Sequence, residues 1–136
     1  MTATTSHPAT STAKDSLLRF ALRLDAIASG VIGVAGLALA PRIAEWSGTT
    51  AAFEYSLSAF FVVYGVAVFA LSRMRTVRTW GVLIAVGNVV FTVAAVALVL
   101  ADVMPLTTTG VVLTLGSGVF TLAMADLQYL GVRRLR

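Results

Sequence analysis

Residues 79–101 read TWGVLIAVGNVVFTVAAVALVLA, twenty-three consecutive positions without a charged side chain. As a helix rising 1.5 Å per residue, the run is ~34 Å long, enough to cross a hydrocarbon core of ~30 Å. Lipid offers no hydrogen bonds to a backbone, and within one segment only a helix satisfies its own N–H and C=O groups. This stretch therefore predicts a transmembrane helix, and the rest of the chain repeats its pattern.

On the N-terminal side, the run from Ala51 to Ser72 closes on Arg73, Arg75 and Arg78, with 18 uncharged residues between Glu54 and Arg73. On the C-terminal side, another 23 lie between Asp102 and Asp126. A first run begins helically at Ser16, a candidate cap, places Arg19 and Arg23 one turn apart, and continues from Leu24 to Ala40. Only Asp25 interrupts it, and Pro41 is expected to stop it. The fold class read from this pattern is all-α, a polytopic bundle of four transmembrane helices. Its spans are about 17–40, 51–72, 79–101 and 107–130, within one domain of residues 16–136. Residues 1–15 are rich in Thr, Ser and Ala and lack periodicity, so they are expected to form a disordered cytoplasmic tail.

Composition agrees with a membrane class. The 136 residues are 58% hydrophobic and 12% charged, with a mean hydropathy of +0.92, too apolar for a soluble domain of this size. The chain has no cysteine, and its single histidine, His7, lies in the tail, so thiolate sites and a histidine-based triad have no residues to use. No metal, cofactor or catalytic residue is expected, and the chain reads as a non-enzyme. The net charge of +4 sits beside the apolar runs, where it suits anionic lipid headgroups better than nucleic acid.

The first run imitates a secretory signal, since basic residues precede an apolar stretch ending in Ala38-Leu39-Ala40. Pro41 would follow the cut directly and Asp25 would interrupt the apolar region. An uncleaved first helix is the expectation. Lys14, Arg19 and Arg23 precede span one, Arg73, Arg75 and Arg78 separate spans two and three, and Arg133, Arg134 and Arg136 follow span four. Arg42 alone falls opposite, so the positive-inside rule predicts both termini inside a bacterial cytoplasmic (inner) membrane. Trp46 and Tyr55 at the outer boundary, and Trp80 and Tyr129 at the inner one, match aromatic belts.

Ionisable and polar residues within the spans are the candidates for function, because each costs ~2.5–3.5 kcal/mol at mid-span. Arg23, Asp25, Tyr64, Asn88 and Asp126 are expected to gather in the cytoplasmic half as an intramembrane polar cluster. Asp126 lies ~10 Å below the terminal basic cluster, and Tyr64 and Asn88 both lie ~13 Å from the cytoplasmic edge. Three readings are open. Arg19 or Arg23 pairs with Asp126 as a clasp between the first and last helices, the acids bind a proton or a cation, or the charged groups simply snorkel to the boundary. A Tyr64–Asn88 hydrogen bond joins helices two and three in one reading, and lines a cytoplasm-facing pocket in the other. Small residues at helical spacing, among them Ser29, Gly30, Gly33 and Gly36 in span one and Gly110, Gly116 and Gly118 in span four, allow helices to approach closely.

Leu22-Arg23-Leu24-Asp25-Ala26 with Ser29-Gly30, and Asp126-Leu127-Gln128-Tyr129 with Gly131 and Arg133-Arg134, resemble a family of small four-helix bacterial inner-membrane proteins of uncharacterised activity. The resemblance spans the four helices and implies no reaction. The chain is also similar to small multidrug resistance transporters in its four short spans and an acid in the first helix. That likeness implies a proton-coupled role for Asp25, although Arg23 stands beside it and the loops are longer. The expected function is a small accessory or structural membrane protein acting through helix association, with a homo-dimer or another membrane protein as partner. The alternative is a transporter or channel, dimeric and proton-coupled through Asp25 and Asp126.

Overall fold

A computed structural model describes residues 8–135. It carries four helices, α1 (Pro8–Ser47), α2 (Ala51–Leu71), α3 (Val77–Ala101) and α4 (Thr108–Arg133). Each is long and apolar enough to cross a membrane. The all-helical architecture and the number of apolar helices agree with the sequence reading.

Both ends of α1 differ from expectation. The helix starts at Pro8, inside the stretch read as a disordered tail, of which residues 1–7 lie outside the described chain. Extending an established helix costs far less than nucleating one, Ala and Lys propagate it well, and a first-turn proline needs no N–H. At the other end α1 passes through Pro41 to Ser47. Pro41 forgoes the hydrogen bond to the Leu37 carbonyl, but Ala40, Ala44 and Ser47 are buried on either side of it and hold the helix in line. At 40 residues, α1 is ~60 Å long.

The buried face of α1 runs Leu18, Leu22, Asp25, Ser29, Gly33, Gly36, Ala40, Ala44 and Ser47, in the steps of three and four that define one side of a helix. That face makes α1 the spine of the molecule. It packs most extensively with α2, α3 packs with α4, and α1 with α4 joins the two pairs, whereas α2 and α3 scarcely meet. Glycine sets how closely α1 and α2 approach: a Cβ at Gly33 would stand 2.7 Å from the Ser58 carbonyl oxygen, and one at Gly65 would stand 2.7 Å from that of Ala26. At the end bearing both termini, Leu18, Leu22, Ala26, Val68, Val77 and Val132 form the apolar core.

The opposite end is stapled by a turn. Gly48 adopts φ +78°, and its N–H and that of Thr49 both donate to the Ala44 carbonyl, at 2.9 and 3.2 Å, which terminates α1 in the left-handed conformation that glycine tolerates. The Thr107 N–H donates to the Ser47 carbonyl at 3.0 Å, and the Thr107 hydroxyl donates to the Trp46 carbonyl. We expect Gly48→Ala to cost about 1–2 kcal/mol for the backbone conformation, and more because its Cβ would press on the Pro105 carbonyl. A detergent melt of the variant indistinguishable from wild type would refute this account of the turn.

Candidate functional site: a four-helix polar knot

One polar side chain from each helix converges on Asp25. Its Oδ2 accepts hydrogen bonds from the Tyr64 hydroxyl of α2, Asn88 Nδ2 of α3 and Gln128 Nε2 of α4, each at 2.8 Å. Oδ1 accepts from the Ser29 hydroxyl at 3.2 Å, one turn along α1. Asn88 uses its second N–H on Gln128 Oε1 at 3.1 Å, and its own Oδ1 lies 3.4 Å from the Tyr64 hydroxyl. That hydroxyl has a single proton, and the shorter contact to Asp25 takes it.

Burial at this level is nearly complete: Asp25 and Gln128 are 0% exposed, Asn88 3% and Ser29 5%. Four donors face the carboxyl group and no cation pairs with it, since the ion pair among the described residues is Arg19–Asp15. An acid stripped of water is tolerated only when its lone pairs are filled. Here neutral donors fill them, and each bond crosses between helices except the one from Ser29. A second tier adjoins the knot, with the Thr92 hydroxyl 2.9 Å from the Gly118 carbonyl and 2.7 Å from the Thr121 hydroxyl. It ties α3 to α4 one turn from Asn88.

Of the sequence candidates, the structure brings Asp25, Tyr64 and Asn88 together and leaves out Arg23 and Asp126. Both of the latter are exposed. Arg23 shares the outward side of α1 with Phe20, Leu24 and Ile27, and Asp126 lies beside exposed Leu122, Tyr129 and Leu130 on α4. The expected Arg19 or Arg23 clasp to Asp126 is therefore not formed. Arg19 instead reaches the end of α2, where its Nη1 donates to the carbonyls of Ser72 and Met74 at 2.7 and 3.0 Å, while Nη2 meets Asp15 at 3.1 Å. The physical reason is that the cap carbonyl of Ser72 and the turn carbonyl of Met74 lack intrahelical donors at the negative pole of α2, so a nearby guanidinium satisfies both.

Ser29, read from the sequence as a small packing residue, and Gln128 are members of the knot that the sequence reading did not place in the polar cluster. Gln128 is seven residues beyond Thr121 and three short of Gly131, on the small and polar stripe of α4. That spacing was the available signal.

Beyond the knot, away from the basic end, the helices part around a cavity of about 400 Å³. Ile32, Gly36 and Leu39 of α1, Leu57 and Phe61 of α2, Phe91 and Leu98 of α3, and Leu113 of α4 line it, with Ser47, Thr49 and Glu54 at its far end. A neighbouring cavity of about 480 Å³ shares Ile32, Phe61, Leu113 and Ser117 with the first and extends to Ser29 and Thr121. Among the described residues, no group of His, Cys, Asp and Glu is arranged to hold a metal ion. Comparison with family models, curated proteins and solved structures finds no match for the chain.

Proposed function

We propose that the protein is a multi-pass component of the bacterial cytoplasmic membrane, both termini inside, that acts as a non-enzymatic accessory or structural subunit through helix association. The charge distribution supports the orientation. Lys14, Arg19, Arg23, Arg73, Arg75, Arg78, Arg133 and Arg134 belong to one end of the bundle and Arg42 to the other, the asymmetry that the positive-inside rule reads as cytoplasmic. Because the natural chain has no cysteine, single cysteines placed beside Arg75 and beside Pro105 test it directly. In intact cells an impermeant maleimide should label the second and spare the first; the reverse pattern refutes the orientation.

The observation that carries the association role is α3. It is joined closely to α4 alone, and it exposes Leu83, Val86, Val90 and Val93 around Gly87, beside which a Cβ would have nothing within 4 Å. Small residues flanked by branched ones let two helices approach in lipid, where van der Waals contact drives pairing. A photoreactive residue at Val86 should cross-link in native membranes to one discrete protein, a second copy or a partner identified by mass spectrometry. Cross-links to lipid alone would sink this role.

A second reading, transport of a small solute or proton, rests on Asp25. The acid has no cationic partner, and Ser29, which donates to it, also lines a cavity. In this reading Asp126 has no part, being on the outward side of α4. Vesicle uptake or efflux that survives Asp25→Asn would remove it.

A further inference from the structure

We propose that the cavity of about 400 Å³ among the four helices, open between α2 and α3, is a binding site for a single-chain lipid with an uncharged, hydroxyl-bearing head, of the monoacylglycerol class. The site rests on membrane insertion, and its occupant is set by the cavity's shape and by its polar end. On α1 the lining runs from Ile32 to Ser47, ~22 Å along the helix, against ~15 Å for half a hydrocarbon core. A chain belonging to one leaflet fits lengthwise within it. The sparse contact of α2 with α3 leaves a lateral entrance from the bilayer, crossed by the Phe61–Phe91 ring contact at 5.6 Å.

The head is selected by two groups at the far end. Glu54 is 8% exposed. Its Oε1 accepts from the Thr49 hydroxyl at 2.5 Å, and no cation among the described residues pairs with it. Ser47, 3% exposed, has a hydroxyl with no hydrogen-bond partner, a cost that a buried polar group rarely bears unrelieved. The hydroxyls of a ligand head can donate to Glu54 and accept from Ser47, whereas an ammonium only donates and a carboxylate only accepts. The apolar remainder, Leu57, Phe61, Phe91 and Leu98 among it, takes the chain.

The test uses the full chain in phosphatidylcholine nanodiscs at pH 9, where a bilayer-bound fatty acid is ionised, with a diazirine placed in the same acyl chain of a monoacylglycerol and of the free fatty acid. The monoacylglycerol should label Leu57, Phe61, Phe91 or Leu98, and the fatty acid should label them about tenfold less, the discrimination that ~1.4 kcal/mol supplies. Glu54→Gln should bring the two within about twofold of each other, and Ala94→Trp, which fills the cavity, should abolish both. Equal labelling of the wild type by the two probes, or labels confined to outward positions such as Val63, overturns the proposal. Discrimination is read first on the wild type, so a poorly folding variant does not decide the outcome. Failure of membrane insertion would show separately, as loss of the maleimide pattern at 75 and 105.

Discussion

Asp25→Ala destabilises the detergent-solubilised protein by about 2–4 kcal/mol, while Asp25→Asn costs less than half as much. Alanine removes the one acceptor on which Tyr64, Asn88 and Gln128 all converge, and each buried donor left without a partner costs ~1–3 kcal/mol in a protein interior. Lipid moderates that figure, since interhelical hydrogen bonds in bundles average nearer ~0.6 kcal/mol each when the unfolded helices find other partners. Asparagine keeps an oxygen where the three donors meet. Its amide then faces Ser29, whose hydroxyl rotates from donor to acceptor. The remaining loss is the imperfect geometry with which an amide replaces a carboxyl group. Thermal or denaturant unfolding of the three proteins side by side decides the matter, and equal destabilisation by Ala and Asn would refute the view that acceptor geometry holds the knot. The same pair of variants separates structure from transport, because Asn spares stability while removing any titration of the acid.

Gly131→Leu is expected to be comparably damaging, for a reason unconnected with polarity. A Cβ at Gly131 would lie 2.7 Å from Leu18 Cα and 2.8 Å from its nitrogen. Those are backbone atoms of α1, so no rotamer change relieves the clash, and α4 must move away from the apolar core that Leu18 anchors at 0% exposure. Overpacking of this kind costs about 3 kcal/mol. Gly87→Ala is the control: with nothing within 4 Å of its Cβ, it should gain up to ~1 kcal/mol from helix propensity alone. If both substitutions shift the melting temperature alike, the close α1–α4 crossing is wrong.

The spans were legible in the sequence because length and charge spacing are one-dimensional quantities. Depth was legible for Tyr64 and Asn88, which stand nine residues from Arg73 and Thr79, but not for Asp25: two residues past Arg23 it reads as lying at the boundary, whereas α1 carries it to the level of the other two. Direction around each helix was not legible. Each residue turns the side chain by a hundred degrees or so, so Asp126 and Gln128, two positions apart, point to different surroundings, one outward and one into the knot. Charge drew the reading to Asp126, whereas packing selects Gln128. Arg19 shows a different limit, since two of its partners are carbonyls of the turn that follows α2, and backbone acceptors carry no sequence signature. Pro41 failed as a stop because the turns flanking it are buried, and tertiary contact outweighs a local breaker.

The acid in the first helix and the amide that completes its coordination are 103 residues apart. Translation makes α1 first and α4 last, so Asp25 is synthesised before Gln128 exists. Until the final helix arrives, the nascent chain carries a buried acid with one donor missing and α1 uncovered along its side toward α4. A product truncated before residue 128 keeps that defect permanently. The knot is thus complete only when α4 is in place, and a shortened chain differs from a finished one at the carboxyl group of Asp25.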